Sequence, residues 1–208
     1  MDRPVIEICF DYASPFAYLA DYAVDRDFGD LPAEIVRTPV YLRGFETFRE
    51  GMPYSGAKTG YLARDLTRCA DHLNVPLGTP AKMPINGLYM LRAHIALHGR
   101  PEQDLFRKVA FRATWVDGAD TSDAEVVVAL GETIGVDHRE LAAAMSTSAV
   151  KIQLRSNTDG AIGRGAFGVP SFFVEDDLYW GHDRLEYVRR HVERLACGDA
   201  EMSDPDDG

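Results

Sequence analysis

The pattern of apolar and polar positions opens on a short run, Val5-Ile6-Glu7-Ile8-Cys9-Phe10, rich in β-branched residues and closed by Asp11 and Ser14-Pro15. Such a run between turn signals predicts a buried strand. Phe16, Leu19, Ala20 and Ala23 then fall at i, i+3, i+4 and i+7, the stripe of an amphipathic helix. Ser14 supplies its N-cap and Pro15 its first helical position. A second strand is predicted near residues 33–40. The resulting β-α-β order favours a parallel pair with a right-handed crossover.

Residues 41–60 are rich in Gly, Tyr and Pro without a clean period and read as loop. From Tyr61 to Arg164 the signals are helical. Leu62, Leu66, Cys69 and Leu73 share one face; so do Leu88, Leu91 and Ile95, and so do Leu105, Phe106, Val109 and Ala113. Ser122 with Glu125, and Asp137 with Glu140, are capping-box pairs that mark two further helix starts. Gly135 between them suits a left-handed C-terminal cap. Ser171-Phe172-Phe173-Val174 and Leu178-Tyr179-Trp180 then flank a polar turn, which predicts a hairpin. Leu185, Val188, Val192 and Leu195 stripe a last helix. The order β-α-β, helices, β-β-α predicts an α/β fold in which the two chain ends pair into one mixed sheet. Residues 1–60 and 165–198 form that core, and 61–164 form an all-helical insertion. The acidic stretch 199–208 has no core face and is expected to be disordered.

Composition narrows the function. The 208 residues are 46% hydrophobic, enough for a real core. With 22 Lys and Arg against 33 Asp and Glu the formal net charge is -11, which argues against nucleic acid or anionic lipid as partners. No apolar run approaches the ~18 residues of a membrane span. The first residues lack the features of a secretory signal, so a cytoplasmic location is expected. Cys9, Cys69 and Cys197 form no CxxC pair or metal knuckle and are expected to be small buried hydrophobes. His94 and His98 are four apart but lack the HExxH pattern and a third ligand, so no metal is expected.

Three segments carry candidate chemistry. Pro170, in Gly168-Val169-Pro170, enters a strand where it cannot donate to the ladder, and an X-Pro bond adopts cis at little cost. In thioredoxin-like proteins a cis-proline stands here, and the residue before it pairs with an extended ligand. An ordinary strand-entry proline fits the tripeptide equally well. Ser14 and Ala17 stand where a thioredoxin places its two cysteines. Ser14 reads as a helix cap. The same geometry suits a thiolate, stabilised by unpaired N–H groups, the helix dipole and the Ser14 hydroxyl. Trp180-Gly181-His182-Asp183-Arg184 joins the last strand to the last helix. Asp183 there favours the helix dipole, or else the turn takes a carboxylate while Asp183 takes an ammonium, the two groups of a γ-glutamyl end.

Phe10-Asp11-Tyr12-Ala13-Ser14-Pro15-Phe16-Ala17-Tyr18-Leu19, Phe111-Arg112-Ala113-Thr114-Trp115-Val116-Asp117-Gly118, and Phe167-Gly168-Val169-Pro170 through Trp180-Gly181-His182-Asp183-Arg184 together resemble the 2-hydroxychromene-2-carboxylate isomerase family. That family is similar to kappa-class glutathione transferases and to DsbA. The resemblance implies a thioredoxin-like core with a helical insertion, glutathione as cofactor, a small aromatic-derived substrate, and a possible homodimer. It implies that Ser14 holds the glutathione sulfur as thiolate and acts in catalysis. Val169 and Pro170 would receive the cysteinyl part, and Trp180, Gly181, His182 and Asp183 the γ-glutamyl end. Lys58 matches a family lysine near the substrate, and Asn86 and Tyr89 are candidates to line the same cavity. The Asn or Asn-Arg that often precedes that lysine is missing from Arg49-Glu50-Gly51-Met52-Pro53-Tyr54, a departure in the substrate half of the site. The implied reaction is isomerisation by reversible thiolate addition. The alternatives are a kappa-class-like glutathione transferase or peroxidase, and a non-catalytic thioredoxin-like binding protein. A thiol oxidoreductase is disfavoured by the absence of a CxxC.

Overall fold

The computed structural model describes residues 3–198, so the expected tail at 199–208 lies outside the described residues. The elements are β1 (Val5–Phe10), α1 (Pro15–Asp27), β2 (Glu34–Pro39), α2 (Gly56–Leu73), α3 (Leu88–Ala96), α4 (Glu102–Trp115), α5 (Ala124–Glu132), α6 (His138–Met145), α7 (Ser148–Gly163), β3 (Ser171–Val174), β4 (Asp177–Trp180) and α8 (Leu185–Cys197). One sheet of order β2-β1-β3-β4 draws on both ends of the chain. β1 runs parallel to β2 and antiparallel to β3, and β3 and β4 form a hairpin. The fold is the α/β core with a helical insertion that the element order predicts.

Alternation along the strands divides the core. Ile6, Ile8, Phe172 and Val174 face α1 and α8, where Ala20, Val24, Val188 and Val192 cover them. Cys9 and Phe173 face the other way, under Val40, Phe45, Phe48, Ala161 and Val169. The largest cluster lies among the inserted helices, with Met90, Leu91, Phe106, Phe111, Trp115, Val127 and Leu141, and it runs on into Phe10, Tyr12, Tyr18 and Leu19 of the β1–α1 region. Trp115 Nε1 donates to the Tyr12 carbonyl at 2.9 Å, and the Tyr12 hydroxyl bonds His94 Nδ1 at 3.0 Å. The insertion and the sheet therefore share buried side chains.

Several local expectations are corrected. Residues 56–60 are the first turn of α2 rather than loop, with Ser55 accepting from the Lys58 N–H at 3.3 Å. Two glycines and no buried side chain in that turn leave periodicity nothing to register. The cap of α5 is Asp123, one residue beyond Ser122, whose hydroxyl instead accepts from the Asn86 N–H. Leu105 is 49% exposed, because α4 turns Phe106, Ala110, Phe111 and Ala113 inward and leaves Leu105 on the outer edge. Only Cys9 is a buried thiol: Cys69 is half-buried and Cys197 is exposed at the end of α8.

Candidate active site

The site grows from the turn between β1 and α1. The Ser14 N–H donates to the Asp11 carbonyl at 3.0 Å, which closes the turn and aims the Ser14 side chain along the helix end. Ser14 Oγ accepts from the Ala17 N–H at 3.2 Å, as a cap does, and donates to the Val169 carbonyl at 3.4 Å. Ser14 as a whole is 6% exposed. The Val169–Pro170 peptide is cis. The Pro170 carbonyl in turn accepts from the Gly181 N–H at 3.0 Å. Hydrogen bonds thus join Ser14, Val169, Pro170 and Gly181 across three separate segments. Gly181 has φ +108 and a Cβ there would lie 2.5 Å from Asp183 Oδ1, so only glycine suits this corner. His182 stacks on Phe16, ring centroids 5.0 Å apart, which ties the corner back to α1. Burial pushes the His182 imidazole below its ordinary pKa against the pull of Asp183 and Asp65, and favours the neutral ring.

The outer wall is aromatic. Trp180, 45% exposed, packs on Phe167 with centroids 4.9 Å apart. A Cβ on Gly168 would come within 3.0 Å of Trp180 Nε1 and 3.5 Å of Phe48, so the glycine lets the two rings close on this strand entry. Phe48 meets Tyr54 edge-on, and Lys58 Nζ lies 4.3 Å above the Tyr54 ring. Lys58 therefore reaches the Val169 side only through two aromatic rings. Asp183 forms an exposed ion pair with Arg184 at 2.9 Å. Asn86 Oδ1 accepts from the Tyr41 hydroxyl and from the Leu88 N–H, both at 3.2 Å. Tyr89 is half-buried against the helical core.

Asp11 carries no role in the sequence reading, yet it organises the base of the site. It is fully buried; Oδ1 accepts from the Ala13 N–H at 2.9 Å and Oδ2 from the Leu42 N–H at 2.8 Å. Burial pushes its pKa up to about 6, against those two bonds and the pull of Arg43. Gly87 backs directly onto it: a Cβ there would overlap Asp11 Oδ1 at 1.9 Å. The only sequence signal is an acid directly after a mostly apolar strand. Among the described residues no group of three or more His, Cys, Asp and Glu could hold a metal, and no helix is long and apolar enough to cross a membrane.

Residues 5–193 match the family model of the DSBA-like thioredoxin domain. The chain is 28% identical over 195 residues to 2-hydroxychromene-2-carboxylate isomerase of Sphingobium xenophagum, covering 90% of this chain and 97% of that protein. The enzyme of the same name from Pseudomonas putida is 27% identical, with coverage of 96% and 99%. Glutathione S-transferase kappa 2 of Caenorhabditis elegans is 25% identical, with coverage of 90% and 91%. Among solved structures, a 2-hydroxychromene-2-carboxylate isomerase superposes with a TM-score of 0.81 at 26% identity, covering 96% of this chain and 100% of that one. A probable DsbA oxidoreductase from Streptomyces coelicolor shares the fold at a TM-score of 0.76 and 18% identity, with coverage of 97% and 93%.

Proposed function

Since the chain belongs to the DsbA-like thioredoxin family, we propose that it is a glutathione-dependent isomerase of 2-hydroxychromene-2-carboxylate or a similar intermediate of aromatic degradation. One observation carries the reading. A nearly buried serine hydroxyl stands at the N-terminus of α1, 3.4 Å from the carbonyl before Pro170, with Ala17 where a resolving thiol would stand. A protein of this fold without its own dithiol needs a sulfur from elsewhere, and the relatives named as isomerases and glutathione transferases support that source.

The residues fit glutathione group by group. The Val169 backbone, held at the strand entry, suits the N–H and C=O of a cysteinyl residue laid alongside it. No side chain caps the turn at His182–Arg184, so its first N–H groups suit a carboxylate, and Asp183 suits an ammonium once it releases Arg184. Bound there, glutathione supplies a thiolate able to add to the conjugated substrate and to leave again after bond rotation. Ser14 gives up only a long bond to Val169 when it turns its hydrogen toward sulfur. The Ala17 N–H and the α1 dipole favour negative charge at the same point. Neutral His182, stacked on Phe16, shapes the wall without adding charge. Trp180 and Phe167 offer an apolar surface to an aromatic substrate, and Lys58, Asn86 and Tyr89 are the candidates for its polar end.

A hydrogen bond to a charged group is worth roughly 1.5–3 kcal/mol, or about one to two pKa units. With glutathione saturating, Ser14→Ala should raise the bound thiol pKa by that amount, read from thiolate absorbance against pH. An unchanged pKa, with stability lowered by the loss of a cap worth about 1 kcal/mol, would reduce Ser14 to a helix cap. The kappa relative favours a second reading, a glutathione transferase or peroxidase. Steady-state turnover separates the two, because isomerisation returns free glutathione and conjugation or peroxide reduction consumes it. Failure of glutathione to bind in a calorimetric titration would favour a non-catalytic binding protein.

A further inference from the structure

Two arginines without acidic partners act on Tyr41, and one of them, Arg43, also acts on Asp11 at the base of the Ser14 turn. Arg43 sits in the short 3-10 turn Leu42–Gly44, and Arg92 lies on α3 one turn beyond Leu88 and Tyr89. Neither makes an ion pair or a side-chain hydrogen bond with a described residue, although Arg26, Arg37, Arg100, Arg107 and Arg189 are each paired with carboxylates. Arg92 Nε is the one buried side-chain nitrogen or oxygen among the described residues with no hydrogen-bond partner. Leaving such a donor unpaired is costly, and native proteins keep few of them. The positive charge of both guanidinium groups opposes the rise in the Tyr41 pKa caused by burial.

The backbone beneath Arg43 is pinned. The Tyr41 N–H donates to Thr158 Oγ1 at 3.0 Å and the Leu42 N–H to Asp11 Oδ2 at 2.8 Å, while Thr158 Cγ2 closes on Gly44. Asp11 is an acid near Arg43, but its two oxygens are occupied by the Ala13 and Leu42 N–H groups, so it does not neutralise the arginine by direct pairing. The Tyr41 hydroxyl donates its one hydrogen to Asn86 Oδ1, which fixes the Asn86 side chain so that its amide N–H group is the polar donor beside them. The backbone carbonyl of the same Asp11 accepts from the Ser14 N–H, so the Arg43 turn shares its base with the Ser14 turn.

We propose that Arg43 and Arg92, with Tyr41 and Asn86, form a subsite for the carboxylate of the substrate. The inference rests on the isomerase reading and adds to it the groups that select an acid. A planar guanidinium matches a carboxylate through paired N–H bonds, which a neutral amide cannot reproduce. The substrate class is then an aromatic-derived monocarboxylate whose conjugated carbons reach toward Ser14 while its acid end lies over α3.

The test is calorimetric titration with 2-hydroxycinnamate and with its neutral amide, in the presence and absence of saturating glutathione. The parent should bind the acid at least about tenfold more tightly than the amide. Arg92→Gln and Arg43→Gln should each remove most of that preference and leave glutathione affinity unchanged. Arg92→Lys, which keeps the charge and the packing, should retain part of it and serves where the glutamine variant unfolds. Equal binding of acid and amide by the parent, or an undiminished preference in both glutamine variants, overturns the subsite. Loss of glutathione affinity with the acid preference intact also overturns it, because the arginines would then serve a carboxylate of glutathione. Should glutathione fail to bind the parent, the isomerase reading fails while the acid-to-amide comparison without glutathione still decides the subsite.

Discussion

Asp11 and His94, buried in one neighbourhood, answer pH in opposite senses. Burial lifts Asp11 to about 6, so its contribution to stability is full below the ordinary carboxylate pKa and is lost as pH rises through 6. The gap from the ordinary value of 3.8 corresponds to about 3 kcal/mol at most. Burial and the nearby Arg107 and Arg37 hold His94 down at about 3, so its contribution is full above the ordinary imidazole pKa and is lost as pH falls. Between pH 4 and 6 the two slopes oppose each other. Asp11→Asn removes one of them, so the unfolding free energy of parent minus variant should be larger at pH 4 than at pH 6. Urea melts across that interval check this, and a flat or reversed difference would remove Asp11 as the titrating group. Ser14, Val169 and Gly181 were legible in the sequence because a cap, a strand-entry proline and a turn glycine leave local signatures. Asp11 was not, since its partners Leu42 and Gly87 come from loops distant in sequence and nothing local announces them.

Two glycines in helical surroundings separate packing from propensity. Gly87 precedes α3 with an ordinary φ of −71, so a side chain there meets no backbone strain but runs into the Asp11 carboxylate and approaches the Ala13 N–H. That carboxylate is held by two backbone N–H groups and cannot swing aside as a surface side chain would. Gly87→Ala should cost about 1–3 kcal/mol by overpacking. Gly160, inside α7 with open space around it, should do the reverse and gain about 0.5–1 kcal/mol as alanine. Chemical denaturation of the two variants checks the contrast, and a neutral Gly87→Ala would mean that the α3 entry is not held against the Ser14 turn. The same reasoning explains which elements the sequence displayed. Helices with a buried stripe, such as α1 and α8, declare themselves by period. The first turn of α2 buries nothing and depends on the Ser55 cap, so its Gly56 and Gly60 read as loop. Lys58 is consequently a helical residue above Tyr54, a firmer position than a solvated loop would give it.

The insertion and the sheet are joined by charge as well as by apolar packing. Arg107 of α4 is 1% exposed and pairs with Asp21 and, at 2.9 Å, with Asp25 of α1, while Asp104 on its own helix lies 2.6 Å away. Arg37 of β2 closes the group, 3.1 Å from Asp21 and 2.5 Å from Asp25. Burial alone would raise the Asp104 carboxyl, but Arg107 and Lys108 outweigh it and hold the pKa at about 2. Replacing Arg107 by Met fills the space and leaves Asp21 with Arg37 as its one remaining partner, a change that should cost less than the about 3–5 kcal/mol of a fully unpaired buried charge. Adding Asp21→Asn removes the half-compensated charge and should recover part of that loss. Cooperativity should survive both changes, because the apolar cluster that holds Phe111 and Trp115 also holds Phe10, Tyr12 and Leu19. The chain's two tryptophans make this testable: Trp115 is buried in the insertion and Trp180 lies on β4. In a Trp180→Phe background, Trp115 fluorescence reports the insertion, and far-ultraviolet circular dichroism reports the whole chain. Arg107→Met should lower the midpoint of both signals together. A Trp115 transition that precedes the dichroism change would mean that the ion cluster, and not the shared core, is what couples the helices to the sheet that carries Ser14.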